Sequence, residues 1–393
     1  MSLENKRILL GVSGGIAIYK SLTLLSMLNK RGATTEVVMT DGAKEFIQPM
    51  TFQTMSQHRV YDSIFSEQDG FIPHIDLTRR NDVFLIAPCT ANVIAKLAAG
   101  LADDLLTSTA LASNIPIIIS PAMNVYMYEN PATQKNLQTL RDRGLHIIEP
   151  GKGWLACNEE GAGRMPEAEE LVDILDSFFT EKDLIGKRLV VTGGPTKERL
   201  DPVRFLTNDS SGKQGLAIAD RARKRGAEVL FIHGDLKVNI PAGLSELHVE
   251  STKDMLEAVI GNLPEADGLI MAAAPCDFTP LQQAEQKMKK QDGDGQVIEF
   301  KYTPDILKAV AGHRRADQTI IGFAAETQNS LANARKKLED KKLDFIVCND
   351  VSHKDAGFDK DTNLVTIISA DREEALPTLS KSEVADRILD LLV

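Results

Sequence analysis

Cysteine is scarce in this 393-residue sequence: Cys89, Cys157, Cys276 and Cys348 stand far apart, with no CxxC pair. That spacing argues against a disulfide framework and a structural zinc site and suits a reducing cytoplasm. An excess of positive charge is missing too. The formal net charge of −11 at pH 7 removes the drive for general binding to nucleic acid or an anionic membrane, so basic residues are expected only in local pockets. No apolar run approaches the roughly 20 residues that span a bilayer. The opening, Lys6-Arg7 followed by an apolar stretch, superficially resembles a signal sequence. Ser13, Gly14 and Gly15 interrupt that stretch and Lys20 closes it, so it reads as a buried strand and turn. Low-complexity tails and short-period repeats are lacking. So is a GxGxxG with an acidic residue about 20 positions on, which argues against a NAD-linked dehydrogenase.

What is present is a globular composition, 43% hydrophobic and 26% charged, in a chain long enough for two cores of about 200 residues each. Two apolar runs, 8–15 and 189–194, end in glycines and pass into helical patterns. Such an end leaves backbone N–H groups at a helix start, where an anion is welcome. Strand-like runs at 7–11, 34–39, 83–87, 115–120 and 146–148 alternate with helical patterns such as 16–30, 91–99 and 131–143. A second series at 189–192, 228–232, 268–273, 319–323 and 344–348 alternates with helical patterns at 216–225, 254–261 and 330–342. The fold class is therefore α/β, with two doubly wound Rossmann-like domains, 1–185 and 186–393, divided at the charged stretch Glu181-Lys182-Asp183. The polar stretch 282–295 is long enough to suggest a mobile functional loop.

In the first half, four segments carry candidate chemistry: Gly11-Val12-Ser13-Gly14-Gly15, His74-Ile75-Asp76-Leu77, Pro121-Ala122-Met123-Asn124, and Leu155-Ala156-Cys157 leading to Gly163-Arg164-Met165. Each has a bland reading: His74 as a loop residue after Pro73, Asn124 as a helix cap, Cys157 as a small buried apolar residue. Position favours function, because Asn124 and the segment 87–92 follow predicted strand ends, where ligands of open α/β sheets collect. Glycines 161 and 163 suggest a flap around Cys157.

Together, GVSGGIA, HIDL, PAMN, the stretch APCTANVIAKLAAGLADDLLT and the LAC segment ending in GRM resemble the homo-oligomeric flavin-containing cysteine decarboxylases, phosphopantothenoylcysteine decarboxylases in particular. The resemblance covers roughly the first 170 residues and implies a flavodoxin-like flavoprotein that binds FMN and assembles as trimers, often further into dodecamers. It implies that His74 assists oxidation of the substrate cysteine to a thioaldehyde, Asn124 holds the substrate carboxylate, and Cys157 donates a proton in the closing reduction. Gly11, Ser13, Gly14, Gly15, Thr40, Cys89, Thr90 and Asn92 would hold the flavin, with Met123 and Arg164 at the substrate. The flap departs from the family pattern at Asn158, where glycine is usual.

The second half carries Val191 to Glu198 (VTGGPTKE), then Asp201-Pro202-Val203-Arg204 and Asn208-Asp209-Ser210-Ser211-Gly212-Lys213-Gln214-Gly215. A capped loop is the bland reading, but so long a polar run directly after a strand favours a site. With AAAPCD at 272–277, KMKK at 287–290, GFAAE at 322–326 and Lys337 and Lys341 one helical turn apart, these segments resemble phosphopantothenate–cysteine ligase, the usual bacterial fusion partner of the decarboxylase. That resemblance implies CTP and Mg²⁺ activating the 4′-phosphopantothenate carboxylate as an acyl-cytidylate that the amine of cysteine attacks. Asn208 would bind the acyl carbonyl, Arg204 the intermediate and Lys287 the transferring phosphate. Asp277, Phe323, Lys337 and Lys341 would form the CTP pocket, lined by Ala272, Ala273, Thr303, Pro304, Asp305 and Ile306. No residue is assigned to the metal. Cys276 and Thr303 depart from the family's usual residues. The expectation is a cytoplasmic bifunctional enzyme of coenzyme A biosynthesis, a homo-oligomer trimeric through its first domain and dimeric through its second. Two rivals are weaker: a peptidyl-cysteine decarboxylase would lack the ligase half, and a regulatory flavoprotein would tend to have lost His74, Asn124, Cys157 or Lys287.

Overall fold

The structure, a computed structural model, describes residues 3–65, 70–154, 160–241, 243–289, 297–326, 330–350 and 360–393. The chain forms two compact units, Met1–Phe179 and Thr180–Val393. Among the described residues the first is built on a parallel sheet of β1 (Arg7–Val12), β2 (Thr34–Met39), β3 (Val60–Tyr61), β4 (Val83–Cys89), β5 (Ile117–Pro121) and β6 (His146–Ile147), in the order β3-β2-β1-β4-β5-β6. Without the two-residue edge strand β3 the order is that of a flavodoxin-like sheet, and both descriptions share one reversal, between β1 and β4. The central strands are continuous apolar runs because helices cover both faces; Ile8, Leu9, Leu10 and Val83 to Ile86 are fully buried. The helix Ala168–Phe179 packs Leu171, Val172 and Leu175 onto this core. An antiparallel hairpin, β7 (Gly151–Trp154) and β8 (Glu160–Arg164), stands beside the sheet.

The second unit holds β9 (Arg188–Gly193), a hairpin β10 (Lys197–Arg199) and β11 (Phe205–Thr207), β12 (Glu228–His233), β13 (Ser245–His248) and β14 (Gly268–Met271). It continues with a hairpin β15 (Phe278–Pro280) and β16 (Phe300–Tyr302), then β17 (Thr319–Glu326), β18 (Phe345–Asp350), β19 (Thr362–Asn363), β20 (Val365–Ile368), β21 (Glu373–Ala375) and β22 (Leu379–Ser380). Its main sheet runs β13-β12-β9-β14-β17-β18-β20-β21, parallel through β18 and antiparallel beyond. The parallel part repeats the doubly wound order, with its reversal between β9 and β14.

The charged stretch read as the domain boundary packs on the second unit. Leu184 is fully buried in its core and donates its N–H to Arg225 O at 3.0 Å, while Arg225 pairs with Asp183 at 2.6 Å. Two short helices of the first unit, Pro49–Ser56 and Pro73–Arg79, start with proline at their first turn, and a third, Leu105–Leu111, starts with a capping box of Asp104 and Thr107 instead. Within the polar stretch, the described residues 282–289 are tied down, Ala284 N–H donating to Leu200 O at 2.9 Å; residues 290–296 lie outside the described residues. Among the described residues no helix is long and apolar enough to cross a membrane.

Candidate functional site

Each unit carries a cavity at the carboxyl ends of its strands, beside the reversal in strand order. In the first unit, Ser13 follows β1 and bridges to the end of β4: its Oγ donates to Pro88 O at 2.8 Å and accepts the N–H of Thr90 at 3.1 Å. Thr90 then starts the helix Ala91–Ala99. Gly14 runs so close to the loop after β2 that a Cβ on it would lie 2.5 Å from the carbonyl group of Gly42. Thr40 caps the short helix behind that loop, accepting the N–H of Ala43 at 3.3 Å. These elements enclose about 930 Å³, lined also by Gly15, Lys20, Asn92, Lys96, Met123, Asn124 and Arg164.

Asn124 turns out to be both cap and cavity wall. Its Oδ1 accepts the N–H of Tyr126 at 2.8 Å at the start of the helix Val125–Glu129. Its amide NH₂, by contrast, is a donor. Met123 donates its N–H to Gly163 O at 3.0 Å, joining PAMN to the hairpin, and buried Lys20 holds the hairpin's exit through Met165 O and Glu167, both at 2.7 Å. Lys20 was not picked out from sequence; its place on the first helix after the glycines was the available signal.

Three expected residues do not line this cavity. Gly11 lies inside β1, where a Cβ would press on Phe84 at 2.9 Å, so its smallness serves core packing. Cys89 is fully buried in the apolar cluster with Phe84 and Val93, and burial pushes its thiol pKa up. His74 lies on the helix Pro73–Arg79, not in a loop, and its Nδ1 is buried without a hydrogen-bond partner. Cys157, with Leu155, Ala156, Asn158 and Glu159, lies outside the described residues.

In the second unit a cavity of about 230 Å³ is lined by 210–215, 272–275, Asp277, Phe323, Ala324, Lys337, Asn349, Asn363 and Lys381. Gly212 starts the helix Lys213–Lys224 at φ +75°, a left-handed conformation that suits glycine. Lys337 donates to Phe323 O at 2.8 Å. Its neighbour one turn on, Lys341, is not in the lining; it pairs with Asp305, which also caps the helix Ile306–His313 through Lys308 N–H at 3.0 Å. Desolvation works against ionised Asp305, yet these partners outweigh it and hold its carboxyl below the usual range. Ile306 is core, 4% exposed. Thr303 Oγ1 donates to Cys276 O at 2.6 Å, so the turn through Pro304 buttresses the loop 272–277 from behind. Asn208 braces the same loop, its Nδ2 donating to Ala274 O at 3.2 Å and Pro275 O at 2.9 Å.

Arg204 and Lys287 are not in this lining. Conversely, Lys213, Asn349, Asn363 and Lys381 line it and were missed. Asn349 directly follows the strand expected at 344–348, a readable position; Asn363 and Lys381 come from far along the chain and gave no local signal. Asn349 and Asn363 each bury an Oδ1 with no hydrogen-bond partner. Among the described residues no cluster of three or more His, Cys, Asp or Glu gathers that could hold a metal ion.

Comparison with known proteins follows the two units. Residues 1–180 match the family described as Flavoprotein, and residues 184–393 the family described as DNA/pantothenate metabolism flavoprotein C-terminal domain. The chain is 48% identical over 393 residues to the coenzyme A biosynthesis bifunctional protein CoaBC of Bacillus subtilis (strain 168), covering 98% of this chain and 96% of that protein. It is 40% identical over 397 residues to the protein of the same name from Escherichia coli (strain K12), covering 100% and 98%. A solved C-terminal domain of a coenzyme A biosynthesis bifunctional protein CoaBC is 41% identical with a TM-score of 0.46, covering 54% of this chain and 96% of that one.

Proposed function

This chain belongs to the family of coenzyme A biosynthesis bifunctional proteins, and from that premise we propose how its residues divide the work. It is an enzyme of coenzyme A biosynthesis with a ligase and a decarboxylase activity, and its N-terminal half is a flavoprotein. In our reading residues 186–393 join cysteine to 4′-phosphopantothenate with CTP, and residues 1–185 decarboxylate the 4′-phosphopantothenoylcysteine so made to 4′-phosphopantetheine. The observation that carries this is the full-length match to a bifunctional relative, 98% of the chain, in a molecule with one cavity at each strand-order reversal.

The first cavity suits FMN. Its volume of about 930 Å³ is that of a small-molecule site. The close approach of Gly14 to Gly42 leaves no room for a side chain, and Ser13, Thr40, Thr90 and Asn92 bring hydroxyl and amide groups. The chemistry FMN would supply there is two-electron: it would take a pair as the cysteinyl end becomes a thioaldehyde, which makes CO₂ loss possible by leaving an enethiolate, and would return the pair in the closing reduction. Asn124 presents its amide donor to the substrate carboxylate, the polarity that group requires. Arg164 and Met123 border the substrate, and Cys157 gives the final proton. His74 stands outside its own chain's cavity lining, which supports its assignment to the cavity of a second copy in a trimer-based homo-oligomer, with dodecamers as the larger form.

In the second half, Asp277, Phe323, Lys337, Ala272 and Ala273 take CTP, and Mg²⁺ arrives with the triphosphate, whose oxygens are its natural ligands. Turning a carboxylate into an acyl-cytidylate gives the amine of cysteine a carbonyl with a leaving group. Asn208 holds the loop beside the acyl group, Arg204 binds the intermediate, and Lys287 neutralises the charge that develops as pyrophosphate departs. The exposed aromatic side chains of the β15–β16 hairpin, Phe278, Phe300 and Tyr302, support pairing of two ligase units. The spacing of the thiols supports a cytoplasmic enzyme. Purified protein given 4′-phosphopantothenate, cysteine, CTP and Mg²⁺ should release pyrophosphate, CMP and CO₂ together; a preparation without flavin absorbance that still makes CO₂ would overturn the reading.

A further inference from the structure

Between the cation assigned to the intermediate, Arg204, and the one assigned to the transferring phosphate, Lys287, sits a carboxylate that the reaction scheme above does not use. Asp201 opens the turn ahead of β11, and its side chain has no solvent exposure. One oxygen, Oδ1, accepts the N–H groups of Val203 at 2.7 Å and Arg204 at 2.8 Å, folding the turn onto itself. The other, Oδ2, accepts the N–H of Met288 at 3.1 Å, from a segment 87 residues away, and lies 3.7 Å from Arg204 Nη1. A second tie runs in parallel: Leu200 donates its N–H to Arg204 O at 2.9 Å and accepts the N–H of Ala284 at 2.9 Å. Arg204 therefore stands on one side of this carboxylate and Lys287, whose peptide carbon leads into the Met288 N–H, on the other.

We propose that Asp201 is the positioning residue of the ligase half, locking the turn that carries Arg204 to the strap that carries Lys287 so that both cations are presented as one unit. The proposal rests on the reading of Lys287 and Arg204 given above. Geometry explains why the residue is a carboxylate. Three N–H donors converge on it from two segments, and only a group with acceptors on both oxygens satisfies all of them. An amide has one oxygen, which the two N–H groups of the turn would claim, and its NH₂ would then face the Met288 N–H, donor against donor. Asp201→Asn thus keeps the turn and loses the tie at Met288, next to Lys287, while the tie at Ala284 stays. Without the tie at Met288, Lys287 is no longer held for a transition state in which placement decides the rate.

The test compares wild type, Asp201→Asn, Lys287→Gln and the double variant for pyrophosphate release and, separately, for decarboxylation of supplied 4′-phosphopantothenoylcysteine. Asp201→Asn should lower the ligase kcat on the order of tenfold, with the KM for CTP nearly unchanged, the signature of an interaction made in the transition state. Decarboxylation should persist, and in the double variant Asp201→Asn should add nothing to the loss from Lys287→Gln, because it acts through that lysine. A wild-type kcat in Asp201→Asn, or losses that multiply in the double variant, would overturn the proposal. Unchanged pyrophosphate release in Lys287→Gln would instead sink the reading of Lys287 and the proposal with it. If Asp201→Asn loses both activities by misfolding, replacing Met288 by its α-hydroxy acid decides: the peptide N–H becomes an ester oxygen with the side chain kept, which should give the same drop in kcat, and a wild-type value there overturns the proposal.

Discussion

At the scale of single residues, the absence of an atom is as consequential as its presence. Gly14 has the backbone of Gly42 where a side chain would be, and backbone cannot step aside as a flexible side chain can. Gly14→Ala is expected to weaken flavin retention at least on the order of tenfold by displacing the loop after β2. Gly15→Ala, whose Cβ would meet nothing closer than Thr90 Cγ2 at 3.6 Å, should stay yellow; the flavin-to-protein absorbance ratio of the purified variants checks both. These adjacent glycines look alike in the sequence, and only the approach of a distant loop tells them apart. Cys89 is the converse case. It is the last residue of β4, in a motif shared with flavin enzymes, yet the strand's alternation turns it into the apolar cluster, where desolvation keeps the thiol protonated.

Among elements, the short polar connections carry most of what the strands cannot. The turn 201–204 is held by a carboxylate that desolvation disfavours but that the N–H groups of Val203, Arg204 and Met288 stabilise more, so its pKa is lowered. A carboxyl with a folded pKa below its unfolded one adds stability above the unfolded value, near 3.9, and the addition is lost as pH falls through the folded value. Asp201→Asn, which does not titrate, should therefore be less stable than wild type at pH 7. The gap in urea midpoint should close as the pH is taken below about 4. A gap that holds constant down to pH 3 would show that this ionisation is not linked to folding. The helix Pro73–Arg79 makes a different point: proline at its first turn is a start signal, but seven residues are too few for apolar periodicity to declare the helix.

For the whole molecule, among the described residues His74 does not line the cavity that Asn124 lines. If a second copy supplies it, mixing His74→Asn with Asn124→Asp, each inactive, should restore a measurable share of decarboxylation after subunit exchange. Some mixed sites would then carry both native residues. Mixtures no more active than the separate variants, after exchange verified by tagged subunits, would contradict the assignment. Exposed Ile16, Tyr19 and Met127 at the cavity lining add apolar surface suited to such a neighbour.

The order of strands and helices was readable because a parallel sheet covered on both faces demands unbroken apolar runs, and its helices demand one apolar side; the runs at 34–39 and 91–99 end where the elements Thr34–Met39 and Ala91–Ala99 end. The motifs could likewise be read as site residues, because phosphate and carboxylate chemistry needs glycines and amides just beyond strand ends. What the chain order does not encode locally is which of those residues face one space. That Lys337 lines the cavity while Lys341 serves Asp305, that Asn363 and Lys381 join from far along the chain, and that Asp201 reaches Met288 are decided by packing. Contacts between residues many positions apart exist only once the sheet has brought their strand ends together, so no periodicity or motif could announce them.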